Sequence, residues 1–189
     1  MSVRLVGRFC SWRLSWGSFR TSKGLDYMLT KEQAEKFVAY DQDSGVLTWK
    51  YDNKYHKIGD VAGHNNGSGY LSIRLNGRPY LVHRVAWLLM MGKFPDGQLD
   101  HKNLDKEDNR WSNLRGATPT LNQANTEKRS NNTSGFKCVY WDNRYCKWRV
   151  RMWIGNHFRS MGSYISKHEA HAAYCEVAQR VYGEYARTN

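Results

Sequence analysis

The segment from Gln98 to Asn125, QLDHKNLDKEDNRWSNLRGATPTLNQAN, gathers the residue types best able to do chemistry. A carboxylate and an imidazole stand side by side as Asp100 and His101, and two carboxamides follow as Asn113 and Asn122. Histidine is the side chain whose ordinary pKa lets it accept a proton near neutral pH, as activation of a water molecule requires. An Asp-His or an Asn-Leu pair is common in isolation and says little. The chemistry needs all four side chains to meet.

The surrounding elements supply a way for them to do so. Asp100 and His101 close a short apolar strand, a polar loop follows, and Asn113-Leu114-Arg115 begin a second strand. Thr118 then serves as N-cap and Pro119 as first residue of a helix, the arrangement that helix starts favour. Strand, loop, strand and helix in this order bring Asp100, His101, Asn113 and Asn122 around one small cleft. Upstream, Thr30 opens a short helix over TKEQAEKFVAY, with Gln33 in capping-box position. A turn at Asp43-Ser44-Gly45 leads into the strand VLTWK. The stretches Tyr70–Leu75 and Arg78–Val82 flank Asn76-Gly77, a strong hairpin signal. The apolar run Val82–Met91 is long enough for a helix, which Gly92 ends.

In this context the chain resembles the HNH nuclease family in its ββα-metal form. The likeness rests on Asp-His, on Asn-Leu starting twelve residues after the histidine, and on an asparagine nine residues further on. Asn122 stands where the family name has its second histidine, a familiar variant. The resemblance implies that His101 is the general base and that Asn113 hydrogen-bonds across the loop to orient the imidazole. It also implies that Asp100 and Asn122 bind one divalent cation per active site, Mg²⁺ or Mn²⁺, through hard oxygen ligands. Such a cation would stabilise charge on the phosphate and the leaving 3′ oxygen, giving 5′-phosphate and 3′-hydroxyl products. His83-Arg84 also match this subfamily's pattern, so that one of them would touch the scissile or a neighbouring phosphate. The competing reading makes His83 a structural, hydrogen-bonded histidine. His56, His64, His157, His168 and His171 read as surface or loop residues, and Asp105, Glu107 and Asp108 as solvated loop carboxylates.

Beyond the polar stretch EKRSNNTSG come three apolar-rich segments, Lys137–Trp141, Lys147–Ile154 and His157–Met161. A helix over Lys167–Tyr182 follows, with Ser166 and Glu169 as its capping box. Alternation along the middle strand puts Trp148, Val150 and Met152 on one side and Arg149, Arg151 and Trp153 on the other. The apolar side should pack on the helix, and an exposed Arg-Arg-Trp side suits a DNA major groove better than it suits stability. Tyr140, Arg144 and Lys147 would extend that face. The competing reading is a solvated basic sheet. Residues 134–186 resemble the DNA-binding domain of plant ethylene-response factors, which also occurs behind HNH domains in phage homing endonucleases. SGFKCVYWD, KWRVRMWI, RSMGSY and the Ala-rich helix ending YGEYA carry that likeness, with Cys138 where the family usually has glycine.

The whole reads as an α+β chain. Residues 1–27 form an N-terminal extension, and residues 28–127 an HNH domain with N-terminal β-hairpins. Residues 128–134 are a linker, and residues 135–189 a three-stranded antiparallel sheet with one helix. The Arg/Ser-rich extension also has the composition of an organelle-targeting segment. The formal net charge of +12 points to a polyanionic partner, double-stranded DNA. Residues 128–189 carry most of the excess, eleven Lys/Arg against four Asp/Glu, whereas residues 28–127 are nearly balanced at thirteen against twelve. No run approaches the roughly 18 apolar residues of a membrane span, so a cytoplasmic protein is expected, in the host cell if phage-encoded. Cys10, Cys138, Cys146 and Cys175 include no C-x-x-C pair, which argues against a zinc ribbon and fits free thiols in a reducing compartment. The functional expectation is a phage-type homing endonuclease. The alternatives are a DNA-binding protein on a decayed nuclease scaffold and an RNA binder using the same basic face. Oligomeric state, and nicking against double-strand cutting, stay open.

Overall fold

The computed structural model describes residues 28–188, so the expectations for the N-terminal extension lie outside the described residues. Helix α1 (Lys31–Phe37) starts with both bonds of its capping box: Gln33 N donates to Thr30 Oγ1 at 3.2 Å, and Thr30 N to Gln33 Oε1 at 3.1 Å. The sequence predicts this helix to continue to Tyr40, but it stops at Phe37. Val38 is extended (φ −136°), and β1 (Val38–Tyr40) pairs antiparallel with β2 (Leu47–Trp49). A β-branched residue with a strand partner gains more there than from one further helical residue.

Strand β3 (His64–Asn65), where sequence alone indicated a loop, pairs with β4 (Leu71–Leu75), which pairs with β5 (Arg78–Leu81). Leu75 faces Arg78 across Asn76 (φ 49°) and Gly77 (φ 75°), the left-handed pair that a two-residue hairpin loop needs. Helix α2 (Val82–Met91) follows and ends at Gly92, whose φ of 76° closes it. Val82, Val85 and Leu88 of α2 pack with Val38, Leu47, Ile73 and Leu75 into the first hydrophobic cluster. This cluster is the platform behind the site.

The next strands are β6 (Gln98–His101) and β7 (Leu114–Ala117), paired with Asp100 opposite Arg115 and His101 opposite Leu114. Asn113 closes a 3₁₀ turn (Trp111–Asn113) one residue before β7, just outside the strand predicted to hold it. Helix α3 (Pro119–Ala124) has Thr118 as its cap, accepting from Leu121 N at 3.2 Å. A second cluster lies in the C-terminal part. There β8 (Val139–Asp142), β9 (Lys147–Ile154) and β10 (His157–Tyr164) form an antiparallel sheet with β9 in the middle, covered by α4 (Lys167–Tyr182). Val139, Val150 and Met152 meet Ala170, Tyr174 and Ala178. The first of these strands begins two residues later than predicted because Cys138 sits at φ 62°, a left-handed position that glycine favours. The last runs on to Tyr164 through a bulge between Ser160 and Gly162. Among the described residues no helix is long and apolar enough to cross a membrane, and Cys138, Cys146 and Cys175 are unpaired.

The β1–β2 turn reaches forward to the loop between β6 and β7. Tyr40 OH donates to Asn109 O at 2.7 Å and Trp111 N to Gln42 O at 3.0 Å. Gly45 (φ 77°) lies so close that an added Cβ would come within 2.3 Å of Arg110 N. Gly45→Ala should therefore lower the unfolding free energy by about 2 kcal/mol or more, from clash and left-handed strain together. Gly77→Ala has the same kind of φ but open space around it, and should cost about 1 kcal/mol. Urea denaturation of both variants checks the difference.

Candidate active site

Asp100, on β6, is buried, and its carboxylate is held from two directions. Arg115, directly across the ladder, donates from Nε and Nη2 to Oδ2, both at 2.8 Å. Asn125, the C-cap of α3, spans the carboxylate from Nδ2 at 2.9 Å to Oδ1 and 3.0 Å to Oδ2, and reaches His101 O at 2.9 Å. Neither Arg115 nor Asn125 was singled out by sequence reasoning. The alternation of β7 and the cap position of Asn125 were the signals that could have found them.

His101 is 4% exposed, and its Nε2 lies 3.4 Å from Asn109 Oδ1. Asn109 Nδ2 donates to Glu107 O at 2.9 Å, which turns the amide oxygen toward the imidazole. An amide oxygen only accepts, so the network assigns the proton to Nε2 and the lone pair to Nδ1. Burial holds the imidazole's pKa below its ordinary value, opposed by the Asn109 bond and by Asp100, Asp108 and Asp105. Asn113 does cross the loop, but its contacts are to the chain and not to the ring. Its Nδ2 donates to Asp108 O at 2.7 Å and Asn103 Oδ1 at 3.0 Å, and its Oδ1 accepts from Asn103 N at 3.0 Å. Orienting the imidazole directly thus falls to Asn109, with Asn113 fixing the loop that carries it. Asp108 is part of the same brace, held down to about 2 by the guanidinium of Arg110.

A cavity of about 380 Å³ is lined by Asp100, His101 and Asn122 together with Tyr70, Lys106 and Gln98. Asn122 Nδ2 donates to Gln98 Oε1 at 2.8 Å, leaving its own Oδ1 as an acceptor. Lys106 caps Tyr70 with its ammonium 4.7 Å from the ring centroid, and brings a positive charge to the rim. Tyr70 and Lys106 were also missed, since only the fold brings Tyr70, the residue before β4, beside the loop. His83 stands behind this wall, its ring centroid 5.1 Å from that of His101 and 5.3 Å from that of Tyr70. It is 5% exposed, and its Nδ1 is buried without a hydrogen-bond partner among the described residues. Arg84 turns toward the chain, with Nη1 3.4 Å from Gly97 O and Nη2 3.5 Å from Pro95 O.

The donor set accommodates a hard cation. Asp100 Oδ1 receives one described donor and keeps acceptor capacity, and Asn122 Oδ1 faces no described donor. No group of three His, Cys, Asp or Glu side chains suited to a metal exists among the described residues. Asp100 and Asn122 would therefore share a cation's coordination with water or substrate oxygens.

On the C-terminal sheet, Val150 and Met152 face α4, while Arg149, Arg151 and Trp153 alternate to the opposite side. Tyr140 is opposite Arg149 in the ladder and is exposed. Arg149 is tied to Asp142 at 2.9 Å, whereas Arg151 is exposed and lies 4.5 Å from the Phe158 ring centroid. Arg144 and Lys147 are exposed at the turn end of the same strands. Lys137, from just before β8, reaches back to donate to Ala124 O at 2.5 Å and Thr126 O at 2.6 Å. A second cavity, about 460 Å³, lies between α3, the connecting segment and this sheet, and is lined by Tyr140, Arg151 and Trp153. It shares Gln123 and Thr126 with the first.

A family model described as HNH endonuclease matches residues 80–124, which include His83, Asp100, His101, Asn113 and Asn122. The match covers less than half of the chain and supports an HNH nuclease. No curated protein and no solved structure matches the chain.

Burial pushes the His83 imidazole down to about 3, with His101 and Arg84 adding to the effect. Below the ordinary histidine pKa the unfolded chain takes up a proton that the folded chain refuses. The resulting stability is present above pH about 6.5 and is lost, at about 1.4 kcal/mol per pH unit, as pH falls toward 3. Between pH 7 and 5 the wild type should lose about 2 kcal/mol more than His83→Gln. Urea midpoints across that range check this, and parallel curves would contradict it.

Proposed function

We propose that this chain is a metal-dependent endonuclease that hydrolyses phosphodiester bonds of double-stranded DNA to 5′-phosphate and 3′-hydroxyl ends. The observation carrying this reading is that Asp100, His101 and Asn122 line one cavity, with the imidazole's second nitrogen held by Asn109. His101 Nδ1 takes the proton from the attacking water. Burial keeps the ring uncharged beforehand, and Asp100, Asp105 and Asp108 favour the imidazolium that forms. Lys106 at the rim offsets the negative charge of the phosphate. Asp100 and Asn122 would hold one divalent cation, Mg²⁺ or Mn²⁺, whose contribution when bound is to stabilise charge on the phosphate and the leaving 3′ oxygen.

The exposed sheet face carries Tyr140, Arg151 and Trp153 and supplies affinity and site choice, with Arg144 and Lys147 on neighbouring phosphates. The shared walls of the two cavities support a single DNA path from this face to His101. Arg149, tied to Asp142, positions the face more than it reads bases. Joined to the likeness of residues 134–186 to domains found behind HNH modules, this favours a homing endonuclease of phage type. His83 then supports the wall behind the base, and Arg84 secures the segment leading into β6.

Incubation of supercoiled plasmid with Mg²⁺ should yield nicked or linear product that EDTA abolishes. His101→Ala should slow cleavage by about 10²–10⁴-fold while DNA affinity in EDTA is unchanged. DNA binding without cleavage in Mg²⁺ or Mn²⁺ would instead establish a binding protein on a decayed scaffold. On the sheet, Arg151→Ala should lower the slope of log affinity against log salt by about 1, and Arg149→Ala by less. Equal binding by wild type and Arg151→Ala across salt concentrations would remove the sheet face from the DNA path.

A further inference from the structure

We infer that Tyr185 and Glu184, at the far end of the chain, are positioning residues for Asp100, acting through Arg115. The inference rests on the nuclease reading. Two edges of the Arg115 guanidinium are used for different purposes. Nε and Nη2 fix Asp100 Oδ2, while Nη1 donates to Glu184 O at 2.9 Å and lies 3.6 Å from Glu184 Oε2. The Tyr185 ring covers the guanidinium with Cζ 3.7 Å from its centroid, and Tyr185 OH donates to Gly116 O at 2.6 Å, the next residue of β7. Arg115 is 9% exposed. The turn that seals it (Gly183–Tyr185) follows α4 and is anchored by Tyr174 OH donating to Arg187 O at 2.8 Å.

An arginine holding a carboxylate orients it only as well as the arginine is itself held. With the 183–185 turn in place, Arg115 has hydrogen-bond acceptors on two sides and an aromatic lid, leaving one orientation for the Asp100 carboxylate. Without the lid, water reaches the guanidinium and the side chain gains freedom to turn away. Outer partners of metal-binding carboxylates set affinity in this way, with losses of roughly 10–100-fold when they are removed. The C-terminal module thus completes the cutting site as well as gripping DNA, through the last turn after its helix.

The test is Mn²⁺ binding to the full-length protein, followed by electron paramagnetic resonance, for wild type, Tyr185→Phe and Tyr185→Leu. DNA affinity in EDTA and thermal melting are measured beside it. Tyr185→Leu keeps apolar bulk over Arg115 but lacks the ring, and should weaken Mn²⁺ binding by about tenfold or more with DNA affinity unchanged. Tyr185→Phe keeps the ring and should restore Mn²⁺ affinity even if its melting temperature falls as far as that of Tyr185→Leu. Mn²⁺ affinity equal in wild type and Tyr185→Leu overturns the inference alone. Equal loss in the Leu and Phe variants overturns it too, by assigning the effect to general loosening of the turn. A wild type that binds no Mn²⁺ and cuts no DNA overturns the nuclease reading together with it.

Discussion

The ion pair between Asp100 and Arg115 is the contact on which the arrangement of this site depends. Both groups are almost wholly removed from water, and taking a single charge out of water costs several kcal/mol unless its partner and its remaining hydrogen bonds are in place. Here β6 supplies the carboxylate, β7 the guanidinium, and the end of α3 the amide of Asn125, which bridges both carboxylate oxygens and the His101 carbonyl. Any shift in strand register or helix position would strand a buried charge. A helix of six residues has little stability of its own, so its placement comes from these contacts and from the cap at Thr118.

The loop between β6 and β7 is polar and has few apolar side chains to bury, so its order is built from hydrogen bonds. Asn113 joins its two ends, Asp108 clamps Arg110 and Asn103, and the turn around Gly45 closes against Asn109 and Arg110. Together these fix Asn109, the residue that decides which nitrogen of His101 carries the proton. The His101 imidazole therefore takes its tautomer from a chain of contacts that begins in the N-terminal hairpin.

Much of this was legible in the sequence, because it depends on local chemistry. The Thr30 and Ser166 capping boxes, the Asn76-Gly77 hairpin, the Gly92 helix end and the Thr118-Pro119 start are short-range signals, and each element lies where they indicate. Strand alternation likewise placed Arg149, Arg151 and Trp153 opposite the helix. Local pattern failed where tertiary contact decides. Val38 leaves the helix for a strand partner, and Asn109 stands beside the imidazole where Asn113 is expected. Tyr70 and Tyr185 come from segments whose meeting no single-segment pattern encodes. Cys138 shows the limit most plainly, since its left-handed backbone is where glycine would be read, and the chain carries a cysteine.

Lys137 has a consequence for how such a protein would measure DNA. Its half-buried ammonium is spent on the carbonyls of Ala124 and Thr126, at the C-terminal end of α3, so the intervening chain is looped back and latched at its base. A slack tether would let the cut wander over several bonds. On the proposed reading, a latched brace would fix the interval between the gripped sequence and the cut, and the rotational phase as well. B-form DNA turns once in about 10.5 base pairs, so a rigid offset presents the same strand to the site each time. On the proposed reading, cleavage would fall at one bond on one strand per bound protein, and inserted residues within the latched loop would bulge outward without moving it.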